Sequence, residues 1–324
     1  MSEKEAVVIT GGGGFIGLNL VLTLLKNNWF VYVIDSATYV SDVQALTNLQ
    51  TDPKFKWINA KINEISWIPE CDVVFNLAAE SHVDNSIESS ASFIDSNIHG
   101  VRNLLEIIDN NITRSTDKPL FFHFSTDEVY GDQIDGQVTE DSPLNPSNPY
   151  STTKAAADML IKSWARTHGL EFIIVRPSNN YGKYQYPEKF LPLAVKRLSR
   201  GKKIKLHNLG TPIRTWTHVN DTISAVLLLY EKADRNRIYN ISSEFEQTNL
   251  DTARKIVNTY YMGSPKRNVP KFEMHIDTSY KRPGQDVRYA LRCDYLKQYG
   301  WQPTKKFDDE IIGLVKHYKE RFIW

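Results

Sequence analysis

The sequence predicts an α/β protein built on a doubly wound parallel sheet with a smaller, interwoven C-terminal domain. Three observations predict it. Short β-rich apolar runs alternate with amphipathic helical stretches through the first half. The first of these runs opens directly onto a glycine cluster, as at a strand-to-helix turn. After about Arg176 the alternation gives way to segments containing Pro, Gly and Tyr, such as RPSNNYGKYQYPEKFLP and YKRPGQDVRY.

In chain order, AVVIT (6–10), FVYVID (30–35), FKWINAKI (55–62), DVVFNLA (72–78), LFFHFS (120–125) and FIIVR (172–176) read as strands. Their near-continuous apolar character is that of strands covered on both faces. Between them LNLVLTLLKNN, NIHGVRNLLEIIDNN and STTKAAADMLIKSWARTHG carry helical periodicity. Residues 1–177 are therefore expected to form the first domain and 178–324 mainly the second. A strand and helix near TWTHVND and TISAVLLLYEK, within about 215–240, are expected to return to the first.

Composition narrows the function. The 324 residues include 39 basic and 38 acidic side chains, a formal charge of +1, so no overall field draws a polyanion and no nucleic-acid partner is expected. Cys71 and Cys293 are too few and too far apart for a disulfide framework or thiolate metal site. None of the eight His residues sits in a metal-ligand spacing, so no metal is expected. The chain enters a strand by about residue 6, before a signal peptide would fit, and no apolar run approaches the roughly 20 residues that span a bilayer. A cytoplasmic protein without a membrane partner is expected.

TGGGGFIGLNLVLTLL places Gly11, Gly14 and Gly17 at G-x-x-G-x-x-G spacing. Glycine there permits positive φ, close backbone approach to a pyrophosphate and tight helix-on-strand packing, while the helix N-terminus offers N–H groups to the anion. The next strand ends in Asp35, 24 residues after Gly11, near the offset of a ribose-binding acid. A carboxylate there repels a 2′-phosphate, and DSATYVSD supplies no Arg or Lys to hold one. NAD is the cofactor expected in this Rossmann-type domain.

YSTTK at 150–154 puts Tyr150 and Lys154 one helical turn apart. A phenol ionising near 10 needs nearby positive charge to act as a base at neutral pH, and Lys154 can supply it. With the glycine turn and with Ser125 and Thr126 ending an upstream strand, the pair resembles the extended branch of the short-chain dehydrogenases/reductases. The resemblance assigns Thr126, Tyr150 and Lys154 to positioning and deprotonating a sugar hydroxyl as hydride leaves its carbon.

FSTDEVYG adds Asp127 and Glu128 side by side. Neighbours on a regular strand point to opposite faces, so both carboxyls can serve one site only if the chain leaves extended geometry here. The segment resembles that of nucleotide-sugar 4,6-dehydratases such as those acting on dTDP-glucose and UDP-glucose. DSATYVSD, AAESHVDNSI, NPYSTTKAAADML, SNNYGKYQYPEKFLP and KRPGQDVRYAL extend the likeness in order across nearly the whole chain. The implied cycle oxidises C4, which acidifies the C5 hydrogen. Glu128 removes that proton, Asp127 protonates the departing C6 oxygen, and hydride returns to C6. Related decarboxylases keep the Glu and carry Ser in place of the Asp.

The same resemblance implies that Phe15, Ile16, Ser36 and Ile62 join the three glycines and Asp35 around the cofactor. Ala78, Ala79, Ser125, Tyr150, Lys154 and Asn180 would line its nicotinamide side. Ser81 and Asn179 would touch the sugar or its phosphate, Glu188, Lys189 and Asn249 the nucleotide. Lys189, Arg214, Arg282 and Arg288 are candidate diphosphate ligands, with Arg214 and Arg282 favoured by their family-like segments. One departure is NAKIN (59–63), where Lys61 stands in place of an adenine-binding Asp and leaves the backbone of Ile62 to contribute. A homodimer is expected through helices near 99–110 and 151–168. A 4-epimerase or decarboxylase of the same fold, or a non-catalytic NAD-binding scaffold, are the alternatives.

Overall fold

The computed structural model describes residues 5–110, 118–262, 271–281 and 286–321. In the first half β1 (Ala6–Thr10) leads into α1 (Phe15–Lys26), β2 (Phe30–Ile34), α2 (Val43–Leu49), β3 (Phe55–Ile58) and β4 (Val73–Asn76). Next come α3 (Val83–Glu88) and α4 (Ala91–Ile94), which continues through a π turn at Asp95–His99 into α5 (Gly100–Asn110). β5 (Leu120–Phe124), α6 (Pro149–His168) and β6 (Phe172–Pro177) complete this part. The second half holds β7 (Asn179–Tyr181), α7 (Phe190–Ser199), β8 (Ile204–His207), β9 (Ile213–His218), α8 (Val219–Lys232) and β10 (Arg237–Ile241). β11 (Glu246–Thr248), α9 (Asn249–Tyr260), β12 (Ile276–Tyr280), α10 (Asp294–Gln298) and α11 (Phe307–Glu320) end it.

Seven strands pair in parallel in the order β10-β6-β5-β4-β1-β2-β3, the doubly wound topology extended by one strand. α1 and α8 cover one face through Leu20, Val21, Leu24, Ile223, Val226 and Leu229. α5 and α6 cover the other through Val101, Leu104, Leu105, Ala157 and Ile161. The strand order reverses between β1 and β4, so a crevice opens beyond their carboxyl ends, where ligands bind in such sheets.

Three elements differ from the sequence expectation. β3 stops at Ile58 rather than 62, because β2, its one neighbour in the sheet, ends its register at Ile34 opposite Ile58. TWTH lies in β9, which pairs with β7 and β11 in a separate three-stranded sheet, while α8 packs against the large sheet. The seventh strand is RIYNI, an edge strand absent from the sequence expectation, with only its last three residues fully buried. A further core of Leu191, Val195, Ile256, Ile311 and Leu314 joins α7, α9 and α11.

The glycine turn leaves no room for a larger residue. Gly11 has φ +70°, and a Cβ on Gly17 would stand 2.2 Å from the Gly11 carbonyl oxygen. Gly17→Ala should therefore force α1 off β1 and cost about 1–3 kcal/mol. Urea unfolding checks this: an unchanged midpoint would mean that the turn yields.

Candidate active site

β5 ends and the chain turns at once into a single 3-10 turn, Asp127–Tyr130, which resolves the geometry of the acidic pair. Thr126 Oγ1 caps it by accepting from Glu128 N at 3.3 Å. Gly131 closes it at φ +73°, where a Cβ would collide with Asn145 O. Both carboxyls consequently face one cleft.

α6 is started with equal definition. Asn148 Oδ1 accepts from Ser151 N at 2.9 Å, Ser151 Oγ accepts from Asn148 N at 3.3 Å, and Pro149 occupies the first turn. This box places Tyr150 and, one turn on, Lys154 against the acidic turn, both buried.

The cleft has a volume of about 270 Å³ and is lined by Gly11, Gly14, Phe15, Ile16 and Gly17 from the first turn. Ala79, Ser81, Ser125, Thr126, Asp127, Glu128, Tyr150 and Lys154 follow, and Asn179, Asn180, Glu188 and Lys189 form the wall beyond β6. An adjoining cavity shares Ser81, Glu128, Asn179 and Lys189 with it and adds Arg214, Asn148, Asp286 and Tyr289. Seventeen residues read as site candidates thus meet in one cleft, and Arg214 in its neighbour.

The others lie apart. Asp35 is buried and already engaged, accepting from Gly13 N (2.9 Å), Ala37 N (2.9 Å) and Ser41 Oγ (2.7 Å), so it ties the glycine turn to the end of β2. Ser36, Ile62 and Ala78 do not line the cleft; the Ile62 carbonyl accepts from Asn103 Nδ2 at 2.8 Å, and Ala78 N donates to Thr10 Oγ1. Lys61 is exposed and paired with Glu64 at 3.0 Å. Asn249 opens α9, its N–H bonded to Pro212 O, outside both cavities. Arg288 pairs with Glu246 at 2.7 and 2.9 Å and lines neither cavity. Arg282 lies outside the described residues.

The two carboxyls have different surroundings. Burial, reinforced by the like charge of Glu128, pushes Asp127 up to about 8, against the pull of Arg214 and Thr126. Its Oδ2 is buried without a hydrogen-bond partner among the described residues. Burial also raises Glu128, but Arg214, Asn148 and Lys189 oppose it. Asn148 Nδ2 donates to Glu128 Oε2 at 3.3 Å, and the Tyr289 hydroxyl lies 3.5 Å from the same oxygen. Glu128 thus has more neighbours that favour its charged form, while Asp127 is pushed toward its neutral form by burial and by Glu128 itself.

Tyr150 is raised by burial first and by Glu128 second, while the Thr126 hydroxyl lowers it. Lys154 is lowered to about 8 by burial, against Asp158. Both groups are thus shifted toward their neutral forms, and Lys154 is not among the groups that move the phenol, contrary to the expectation that its charge would lower it.

Asn148, Asp286 and Tyr289 were missed as site residues in the sequence. Tyr289 donates to Asp286, stacks under the Arg214 guanidinium at 4.5 Å and reaches Glu128 from 161 residues away. Asp286 and Tyr289 lie in KRPGQDVRYAL, and Asn148 opens NPYSTTKAAADML, directly before the Tyr150 turn.

A family model described as GDP-mannose 4,6 dehydratase matches residues 8–312. The chain belongs to this dehydratase family. Among its relatives, dTDP-glucose 4,6-dehydratase of Haemophilus influenzae is 38% identical over 330 residues, covering 96% of this chain and 97% of that one. The low-salt glycan biosynthesis protein Agl12 of Haloferax volcanii is 36% identical over 318 residues, covering 96% and 98%. Among solved structures, the dTDP-glucose 4,6-dehydratase DesIV of Streptomyces venezuelae, with NAD bound, superimposes with TM-score 0.88 at 31% identity over 98% of this chain and 97% of that one. As a member of the dehydratase family, the chain shares with these proteins its full length and not only its nucleotide-binding half.

Proposed function

We propose that the protein is an NAD-dependent nucleotide-sugar 4,6-dehydratase, a hydro-lyase that converts an NDP-hexose to the NDP-4-keto-6-deoxyhexose and water. The observation that carries this reading is the adjacent Asp127 and Glu128 facing one cleft with Tyr150 and Lys154, Asp127 raised by burial and Glu128 opposed by Arg214, Asn148 and Lys189. Relatives named as dTDP-glucose 4,6-dehydratases support it over an epimerase, a decarboxylase or a silent scaffold.

The first turn of α1 suits the cofactor, because no side chain caps it, it borders the cleft, and the glycines before it leave space where a Cβ would clash. When bound, NAD supplies the reversible redox partner for the sugar. Tyr150 accepts the C4 hydroxyl proton, with Thr126 orienting the phenol and Lys154 stabilising it when ionised. Glu128 takes the C5 proton once C4 is a ketone, and Asp127 gives its proton to the C6 oxygen as the C–O bond breaks. Asn179, whose Oδ1 is buried without a partner among the described residues, and Arg214 hold the sugar and diphosphate.

The names of the relatives favour dTDP-glucose as substrate. A homodimer in the cytoplasm belongs to the same reading, supported by exposed Ile94 and Met159 on the α4 and α6 surface. No described helix is long and apolar enough to cross a membrane. Incubation with dTDP-glucose, UDP-glucose or UDP-N-acetylglucosamine should yield, for the preferred substrate, a product lighter by one water. Deuterium placed at C4 should reappear in the C6 methyl group, whereas label lost to solvent would contradict the cycle.

A further inference from the structure

On the far side of Lys154 from the cleft lies a buried polar chain that none of the proposed steps employs. Ala78 N donates to Thr10 Oγ1 (3.2 Å), and the Thr10 hydroxyl donates to Asn76 Oδ1 (2.6 Å). Asn76 Nδ2 lies 3.0 Å from His123 Nδ1, and His123 Nε2 lies 3.3 Å from Lys154 Nζ. Thr10, Asn76 and His123 are wholly buried.

The geometry selects a tautomer. A separation of 2.6 Å is that of an O–H···O bond and is short for N–H···O, so Asn76 turns its oxygen to Thr10 and its NH₂ to His123. Nδ1 then accepts. Burial and the neighbouring lysine hold the imidazole well below its ordinary value and thus uncharged, so its one hydrogen sits on Nε2. That hydrogen faces Nζ, where an amine can accept it and an ammonium cannot. A second acceptor, Asp158 Oδ1, stands 3.9 Å from Nε2 and takes no hydrogen bond from any described residue.

We propose that His123 is a positioning residue for Lys154. Locked as the Nε2–H tautomer by Asn76, it donates to Nζ while the lysine is an amine and turns to Asp158 Oδ1 when the lysine becomes charged. The groups around Lys154 divide accordingly. Asp158, held by Ser125 Oγ (3.0 Å) and by Arg176 of β6 (2.9 and 3.0 Å), favours the ammonium, and Asp127 and Glu128 line the same cleft. Burial favours the amine, and the His123 N–H at 3.3 Å adds to it; Tyr150, one turn earlier on the same helix, lines the cleft beside Lys154.

Lys154 matters here through the reaction proposed above, yet tautomer and lysine charge are read by NMR without turnover, so either can fail while the other stands. In the full-length protein labelled with ¹⁵N-histidine and ¹⁵Nζ-lysine, signals are assigned by their loss in His123 and Lys154 variants. His123 should show a protonated Nε2 and a bare Nδ1 from about pH 6 to 9. His123→Asn, which can meet Asn76 but not Nζ, should raise the Lys154 midpoint by about one pH unit, a tenfold change in proton affinity. His123→Gln, with an N–H able to reach Nζ, should restore it. An Nδ1–H tautomer, an imidazolium in that range, or an unmoved midpoint in His123→Asn would overturn the proposal. Should the variants fail to fold, the His123 ring is assigned through its bonds to the backbone in uniformly ¹³C,¹⁵N-labelled wild-type protein, and its tautomer decides alone.

Discussion

Asp127→Asn is expected to slow loss of water by about 10²–10⁴-fold while leaving C4 oxidation within about tenfold. The amide keeps the size of the carboxyl and can still accept the hydrogen bond from Thr126 Oγ1. It has no acidic proton to give to the C6 oxygen. Acid-quenched time courses should therefore accumulate a nucleotide sugar lighter by two hydrogens, formed before any dehydrated product. Equal slowing of the two steps would remove Asp127 from the acid role.

The same substitution should change how stability depends on pH. Asp127 holds its proton in the folded protein up to about 8, whereas the unfolded chain releases it near 3.8. Between those values the folded state binds more protons, so this group's contribution to stability falls as pH rises through the window. Asn removes that slope and should stabilise the protein above pH 8 on the order of 1–3 kcal/mol, seen in urea unfolding at acid and alkaline pH. Turnover in the unmodified enzyme should likewise decline as pH passes about 8 and the acid is lost.

Tyr150→Phe should lower kcat by about 10³-fold with KM changed less than about threefold. The ring is buried, packs against Phe93 at 6.4 Å between centroids and would stay in place without its hydroxyl. What disappears is the acceptor for the C4 hydroxyl proton, which is needed before any later step, so no oxidised sugar should accumulate. That contrast with Asp127→Asn separates the two roles in one assay. A kcat loss below tenfold would point to another base.

The parts of the cleft written in short stretches were legible in the sequence: the glycine turn, the YSTTK pair and the STDE turn. Each depends on one element's own geometry, where residues three, four or one apart have determined relations. Asp286 and Tyr289 were not, because they reach Glu128 and Arg214 by tertiary packing across 158 or more residues of chain from the acidic turn. Asp35 was expected to bind ribose, yet its oxygens already bind the glycine turn and Ser41, an engagement that spacing alone does not reveal. The strand errors fall at sheet edges and in the returning chain, where pairing partners rather than hydrophobic pattern set the ends of β3 and the place of β9.

Asn148 uses one end of its side chain to begin the helix that bears Tyr150 and the other to touch Glu128. A single planar group therefore acts as a joint between Tyr150, proposed to start turnover, and Glu128, proposed to follow it. Loosening that joint would blur two steps together, so this position has little freedom to vary without both chemistries drifting out of alignment.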